Sequence, residues 1–150
     1  MSKAKEAKLK ELGGLCRSRL EAGKSVVVHI VYQRNGLRAK CRLWTYDGEI
    51  VASADGGGFD REGVLLGEVL ELIYGDKLDT LPMPVRNARG YYDRDQLYGL
   101  YRGINGKAYL QGGCGWDSMV KIAAALGLKV SSVDTSKYST LLTIERNSTS

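Results

Sequence analysis

Two short stretches of this chain share one layout. Gly56-Gly57-Gly58-Phe59-Asp60 and Gly113-Cys114-Gly115-Trp116-Asp117 both read Gly-x-Gly-aromatic-Asp. Each runs into an apolar-periodic segment, Val64 to Ile73 and Met119 to Leu126. The chemistry this layout offers is anion binding. A glycine turn leaves backbone N–H groups uncovered, and a helix N-terminus presents unpaired N–H groups at the positive end of its dipole. A nucleotide-like anion would rest on Gly57 and Gly58 at the first turn, or on Gly113, Cys114 and Gly115 at the second. Asp60 and Asp117 support a competing, architectural reading, since an Asp N-cap satisfies a helix end by itself. No Gly-Lys-Ser/Thr follows either turn and no clear βαβ unit surrounds them, so neither is a P-loop or a dinucleotide fingerprint.

Cys114 is the one candidate nucleophile, because a thiol at a helix N-terminus is acidified. Gln111 to Trp116 resembles the stretch around the catalytic cysteine of papain-like proteases. Two departures weigh against that activity. The Ser-Cys that would stand between Gly115 and Trp116 is absent, and the sole histidine, His29, lies upstream inside an apolar strand. A cysteine hydrolase pairing Cys114 with His29 is therefore a minor alternative, and no catalytic residue is assigned. Cys16, Cys41 and Cys114 are far apart with no Cys-x-x-Cys pair, so neither a zinc site nor any other cofactor is expected.

The strongest binding candidate is a strand. Leu37 to Tyr46 alternates: Leu37, Ala39, Cys41 and Leu43 on one side, Arg38, Lys40, Arg42, Trp44 and Tyr46 on the other. Cations repeating every ~7 Å along such a face suit a phosphate backbone, and the two aromatics can stack bases. The bland alternative is a solvated sheet face whose aromatics pack across strands. A second cluster runs from Gly90 to Arg102, with four tyrosines and two arginines, Arg94 and Arg102, in thirteen residues. Such a composition suits a recognition loop or a subunit contact, or tyrosines that fill gaps around a small core. Between Met1 and Lys24 seven basic residues outnumber three acids, as either a phosphate-binding arm or a solvated helix face.

The elements that would position these groups follow from periodicity. Leu9, Leu12, Cys16 and Leu20 predict a helix over 3–22, with Gly13-Gly14 as a kink or break. Ser25 to Gln33 predicts a central strand, and Asn35-Gly36 and Asp47-Gly48 predict hairpins to Leu37–Tyr46 and to Glu49–Ala54. On the next helix Leu65, Val69, Leu72 and Ile73 form the core stripe, and Gly63 and Gly67 allow close packing. Residues 75–111 carry little regular pattern beyond Asn105-Gly106, a turn, and Asp93, a cap for a short helix from Arg94 to Tyr101. Met119, Ile122, Ala123 and Leu126 mark a last helix with Gly127 as its cap. A terminal hairpin, Leu128–Val133 and Tyr138–Arg146, closes the chain across Asp134 to Lys137. The expected class is α+β, one domain over 1–146 with a disordered tail at 147–150. It has an antiparallel sheet of about five strands, three helices packed mainly on one face, and the order α-βββ-α-loop-α-ββ.

With 150 residues, 43% of them hydrophobic, the chain can build one real core. The basic opening and the lack of a long apolar run predict a cytoplasmic protein of the host cell with reduced thiols and no membrane partner. A net charge of +5 favours polyanionic partners. Taken together, Arg38 to Trp44, Gly56 to Arg61 and Gly112 to Trp116 resemble small phage and prophage accessory proteins of unassigned role. They carry a basic strand, a Gly-Gly-Gly-aromatic-Asp turn and a later glycine-rich turn with a cysteine. That resemblance implies a mobile-element origin and a non-enzymatic inhibitor of a bacterial defence system. The partners expected are nucleic acid or a host nucleoprotein complex, with Arg38, Lys40, Arg42, Trp44, Tyr46, Arg94 and Arg102 in contact. A nucleotide at the glycine turns is the alternative, and the tyrosine-rich loop is the candidate for a homo-oligomer contact.

Overall fold

The computed structural model describes residues 3–35, 38–45, 53–55, 61–91, 96–111, 114–136 and 139–147. At 4–6, 8, 9, 30–35, 38–45, 53–55, 61 and 62 the description is of the backbone. The elements are α1 (Lys3–Glu21), β1 (Val26–Asn35), β2 (Arg38–Thr45), β3 (Ser53–Asp55), α2 (Arg61–Tyr74), a 3-10 helix (Gly75–Thr80), β4 (Leu100–Arg102), β5 (Ala108–Leu110), α3 (Trp116–Ala125), β6 (Leu128–Ser136) and β7 (Ser139–Arg146). The class is the expected α+β. Five strands form one antiparallel sheet in the order β3-β2-β1-β7-β6, and β4 pairs with β5 in a second, two-stranded sheet.

Strand β1 opens on the β-branched run Val26-Val27-Val28, and burial alternates with period two along Val26–His29 and along β7. Thr140, Leu142 and Ile144 are buried on β7, while Ser139, Leu141 and Thr143, which alternate with them, are half-buried. Val26 faces Ile144 and Val28 faces Leu142 across the β1–β7 pair, so the buried rows of the two strands coincide. These four join one apolar cluster with Cys16 and Leu20 of α1, Leu65, Leu66, Val69, Leu70 and Ile73 of α2, and Met119, Ile122 and Ala123 of α3. The buried face of α2 is wider than the expected stripe, because α2 touches both α1 and α3. Gly63 and Gly67 are both buried within it. No helix among the described residues is long and apolar enough to cross a membrane.

Four local expectations change. Helix α1 runs unbroken through Gly13-Gly14. Gly13 is a contact residue: a Cβ built on it would lie 2.5 Å from the carbonyl oxygen of Leu72 on α2. Of the expected helix from Arg94 to Tyr101, the described residues 96–101 are not helical. Gly99 takes φ +104°, which ends any helical run, and Leu100–Arg102 is a strand whose buried Leu100 precedes half-buried Tyr101. The segment 75–111 is also more regular than expected, because the 3-10 helix and the β4–β5 hairpin occupy much of it. The Asn105-Gly106 turn links that hairpin: the Gly106 amide donates to Gly103 O at 2.9 Å, and the Lys107 amide donates to Asn105 Oδ1 at 3.0 Å. The first terminal strand runs closer to the turn than expected, to Ser136, and the second is described from Ser139, the expected Tyr138 lying outside the described residues. Gly127 stands just past the α3 C-cap, and the Asn147 amide donates to its carbonyl at 2.8 Å. The expected Asp47-Gly48 turn and residues 148–150 lie outside the described residues.

The two glycines of α1 should separate in experiment. Nothing lies within 4 Å of a Cβ placed at Gly14. Gly14→Ala should raise the urea midpoint, by about 0.5–1 kcal/mol of stability through helix propensity. Gly13→Ala should lower it by about 1–3 kcal/mol, because the methyl must displace a backbone carbonyl. Equal shifts in both variants would rule out the close approach of α1 to α2.

Candidate nucleic-acid interface

Directly opposed residues of an antiparallel pair lie on the same face of a sheet. Register therefore sorts β2. Thr45 faces buried Val28, which places Thr45, Leu43, Cys41 and Ala39 in phase with the core row. Trp44 faces His29, Arg42 faces Val31, Lys40 faces Gln33 and Arg38 faces Asn35, all in the opposite phase. His29 continues across β7 to Leu141, and Leu141 to Val133 of β6. His29 and Leu141 are half-buried, and Val133 is 64% exposed. On the β3 side Arg42 faces Ser53 and Lys40 faces Asp55, so one carboxylate residue shares the phase of the cationic row. Tyr46 and Arg94 lie outside the described residues.

Arg102 has a different setting. Its guanidinium donates to Gly106 O at 2.7 Å and lies 3.4 Å from Asp79 Oδ1. It braces the β4–β5 turn from within the hairpin, with two-fifths of its side chain still exposed. Arg17 of the basic first helix is likewise engaged, at 2.8 Å from Asp76 and 3.2 Å from Glu21, with its guanidinium carbon 5.0 Å from the Tyr74 ring centroid. Lys77 lies over the same ring at 4.8 Å. The hydrogen bond from Arg17 holds the Asp76 carboxyl below its ordinary range.

The tyrosines also divide. Tyr91 is 69% exposed, whereas Tyr101 is half-buried and stacked on Tyr109 with ring centroids 5.8 Å apart. The Tyr101 hydroxyl lies 3.9 Å from Cys114 Sγ. His29 sits mid-strand in the large sheet, paired with Trp44 and Leu141, so His29 and Cys114 belong to different parts of the fold.

Of the second glycine turn, Cys114 and Gly115 are described, and Gly57, Gly58 and Gly113 lie outside. Gly115 is the N-cap of α3, at φ 117° and ψ 158°, a conformation essentially confined to glycine. Asp117 is therefore not the cap. It stands exposed in the first helical turn, where its charge complements the dipole and would repel an anion. Asp60, the expected cap of α2, lies outside the described residues.

Sequence reasoning missed two carboxylates that hold the hairpin. The Leu110 amide donates to Glu71 Oε1 of α2, and the Ala108 amide donates to Asp79 Oδ1 of the 3-10 helix at 2.7 Å. The 99–111 and 103–107 backbone bonds show that β5 turns its odd-numbered amides toward β4, so Ala108 and Leu110 aim theirs away. Side-chain oxygens take the place of a third strand. The only signal in the sequence is Glu71 itself, an acid between Leu70 and Leu72 on an apolar helix.

Comparison of the chain with protein-family models, with curated proteins and with solved structures found no match.

Burial pushes the Glu71 carboxyl above its ordinary range, and the bond from the Leu110 amide offsets part of that shift. A raised carboxylate pKa means the folded state binds the proton more tightly than the unfolded chain. The ionised form therefore carries a penalty at neutral pH. It fades as pH falls through the raised value and is gone below the ordinary glutamate range. Glu71→Gln keeps an acceptor without the charge. It should match or exceed the parent in urea stability at pH 7, and that margin should shrink toward pH 4. Glu71→Ala should lose about 1–3 kcal/mol by orphaning the amide. A Gln variant as unstable as the Ala variant would refute this role.

Proposed function

We propose that this chain is a non-enzymatic binding protein that engages nucleic acid, alone or within a nucleoprotein complex, through the cationic row of β2. The observation that carries the reading is the β1–β2 register. It sets Arg38, Lys40, Arg42 and Trp44 in one phase, opposite to the phase that continues into the apolar core. Alternate strand positions repeat every ~7 Å, so three cations span ~14 Å of a phosphate backbone without any rearrangement of the strand. Trp44 at the end of the row offers a flat apolar partner for a base. The net charge of +5 favours encounter with a polyanion. Arg102 contributes less to this reading, since its guanidinium is already held by Gly106 and Asp79. In the phage setting that the turn motifs resemble, such a module would inhibit a host defence system by occupying its nucleic acid.

Fluorescence anisotropy with a labelled single-stranded oligonucleotide tests this. The parent should bind with a log-affinity against log-salt slope near −2, as about three phosphate contacts on a single strand require. Combining Arg38→Glu, Lys40→Glu and Arg42→Glu should abolish binding without loss of the folded circular dichroism spectrum. Trp44→Ala should weaken binding by about 1–3 kcal/mol while keeping the salt slope. Undiminished binding by the triple variant would sink the proposal, as would a salt-independent parent.

A further inference from the structure

Strand β6 is a terminal strand of the large sheet, and no strand among the described residues lies on its far side. It has nine residues, Leu128–Ser136, and every position from Ser131 onward is exposed. The direction of its backbone groups can be deduced. The Asn147 amide donates to Gly127 O, and Gly127 and Asn147 continue the register in which Leu128 faces Arg146. Hydrogen-bonded and non-hydrogen-bonded pairs alternate along an antiparallel ladder. Lys129, Ser131 and Val133 therefore spend their N–H and C=O groups on β7, and Val130, Ser132 and Asp134 aim theirs outward. A register shift between Asp134 and Ser136 ends this outward run.

We infer that β6 is a self-association edge, at which a second copy of this chain adds its own β6 antiparallel about a two-fold axis through Val133. The occupant is argued from complementarity. A two-fold perpendicular to the sheet pairs residues of the same phase, and an axis at Val133 sets Ser132 opposite Asp134 of the second copy, and the reverse. Both residues aim their backbone groups outward, so the two pairs supply about four main-chain hydrogen bonds. Asp134 Oδ1 already accepts from the Thr140 hydroxyl at 2.8 Å, and its second oxygen can accept from the facing Ser132 hydroxyl. Val133 then meets Val133 at a non-hydrogen-bonded position, where opposed side chains stand closest. That contact covers a valine left 64% exposed in the single chain. It also joins the His29–Leu141–Val133 rows of the two copies into one line. An axis through Ser132 would set Asp134 against Val130 and Val133 against Ser131, exchanging both favourable pairs for mismatched ones.

An edge contact of this extent belongs to the small, weak class of interfaces, so the pair should form at concentrations on the order of 100 µM. Sedimentation equilibrium of the full chain should then show a species of twice 16.4 kDa. Val133→Lys sets two cations face to face at the axis and should give monomer with an unchanged thermal midpoint. Ser132→Pro removes an outward N–H and should do the same, since proline is tolerated at a sheet edge. Val133→Cys should oxidise to a disulfide-linked dimer that the parent, with its three native cysteines, does not form under the same conditions. A parent that stays monomeric, a Val133→Cys variant that links no better than the parent, or a dimer undisturbed by Val133→Lys and Ser132→Pro would each overturn the inference.

Discussion

The β1–β7 seam is the contact on which the rest of this molecule rests. It joins the N-terminal meander to the C-terminal hairpin, with Val26 against Ile144 and Val28 against Leu142. Without it β6-β7 would be an isolated two-stranded hairpin, marginal by itself, and β1-β2-β3 would lose the partner that extends its buried row. With it the four buried side chains form an apolar floor that shares one buried cluster with residues of α1, α2 and α3. The partners are more than a hundred residues apart in sequence, so the loop-closure entropy must be met before the floor exists. The phase of this seam also decides the outer row. Because Val28 holds the core phase, His29 and its register partner Trp44 take the opposite one.

Around that floor the remaining pieces are fixed by contacts of different kinds. Helix α1 is placed by shape, through Gly13 against Leu72, and by the Arg17 guanidinium over the Tyr74 ring. Its end is tied again where Arg146 of β7 donates to Glu21 O at 3.2 Å. The β4–β5 hairpin turns Leu100, Ala108 and Leu110 to the core and fixes its outer amides on helix carboxylates. The ion pairs on α1 are partly exposed and contribute little each, so apolar burial outweighs them in holding the helix down.

Much of this frame was legible in the sequence. The class, the meander, the α2 and α3 faces and the terminal hairpin rest on long periodic runs, where burial and spacing agree. The phase of β2 was legible for the same reason, since strict alternation fixes which residues share a side. The errors have local causes. Tyr98 to Arg102 has too few apolar positions to reveal its period, and Gly99 interrupts the helix its composition suggests. Asp117 resembles a cap because Asp favours caps, yet Gly115 alone accepts the backbone angles there. Glu71 carried no readable role, because its partner, Leu110, lies 39 residues away. No spacing rule connects them.

The carboxylates on β5 have one more effect, which concerns phase. Ala108 and Leu110 are two residues apart, so their outward amides stand ~7 Å from one another. Glu71 and Asp79 come from two different helices and meet those amides one to one. A slip of one residue would present the amides of Tyr109 and Gln111 to the wrong side, and a slip of two would leave one acceptor with nothing to receive. The helices thus act as an external ruler for a hairpin too short to set its own alignment. The exposed residues on its outer side are then free to vary without shifting where the Asn105-Gly106 turn projects.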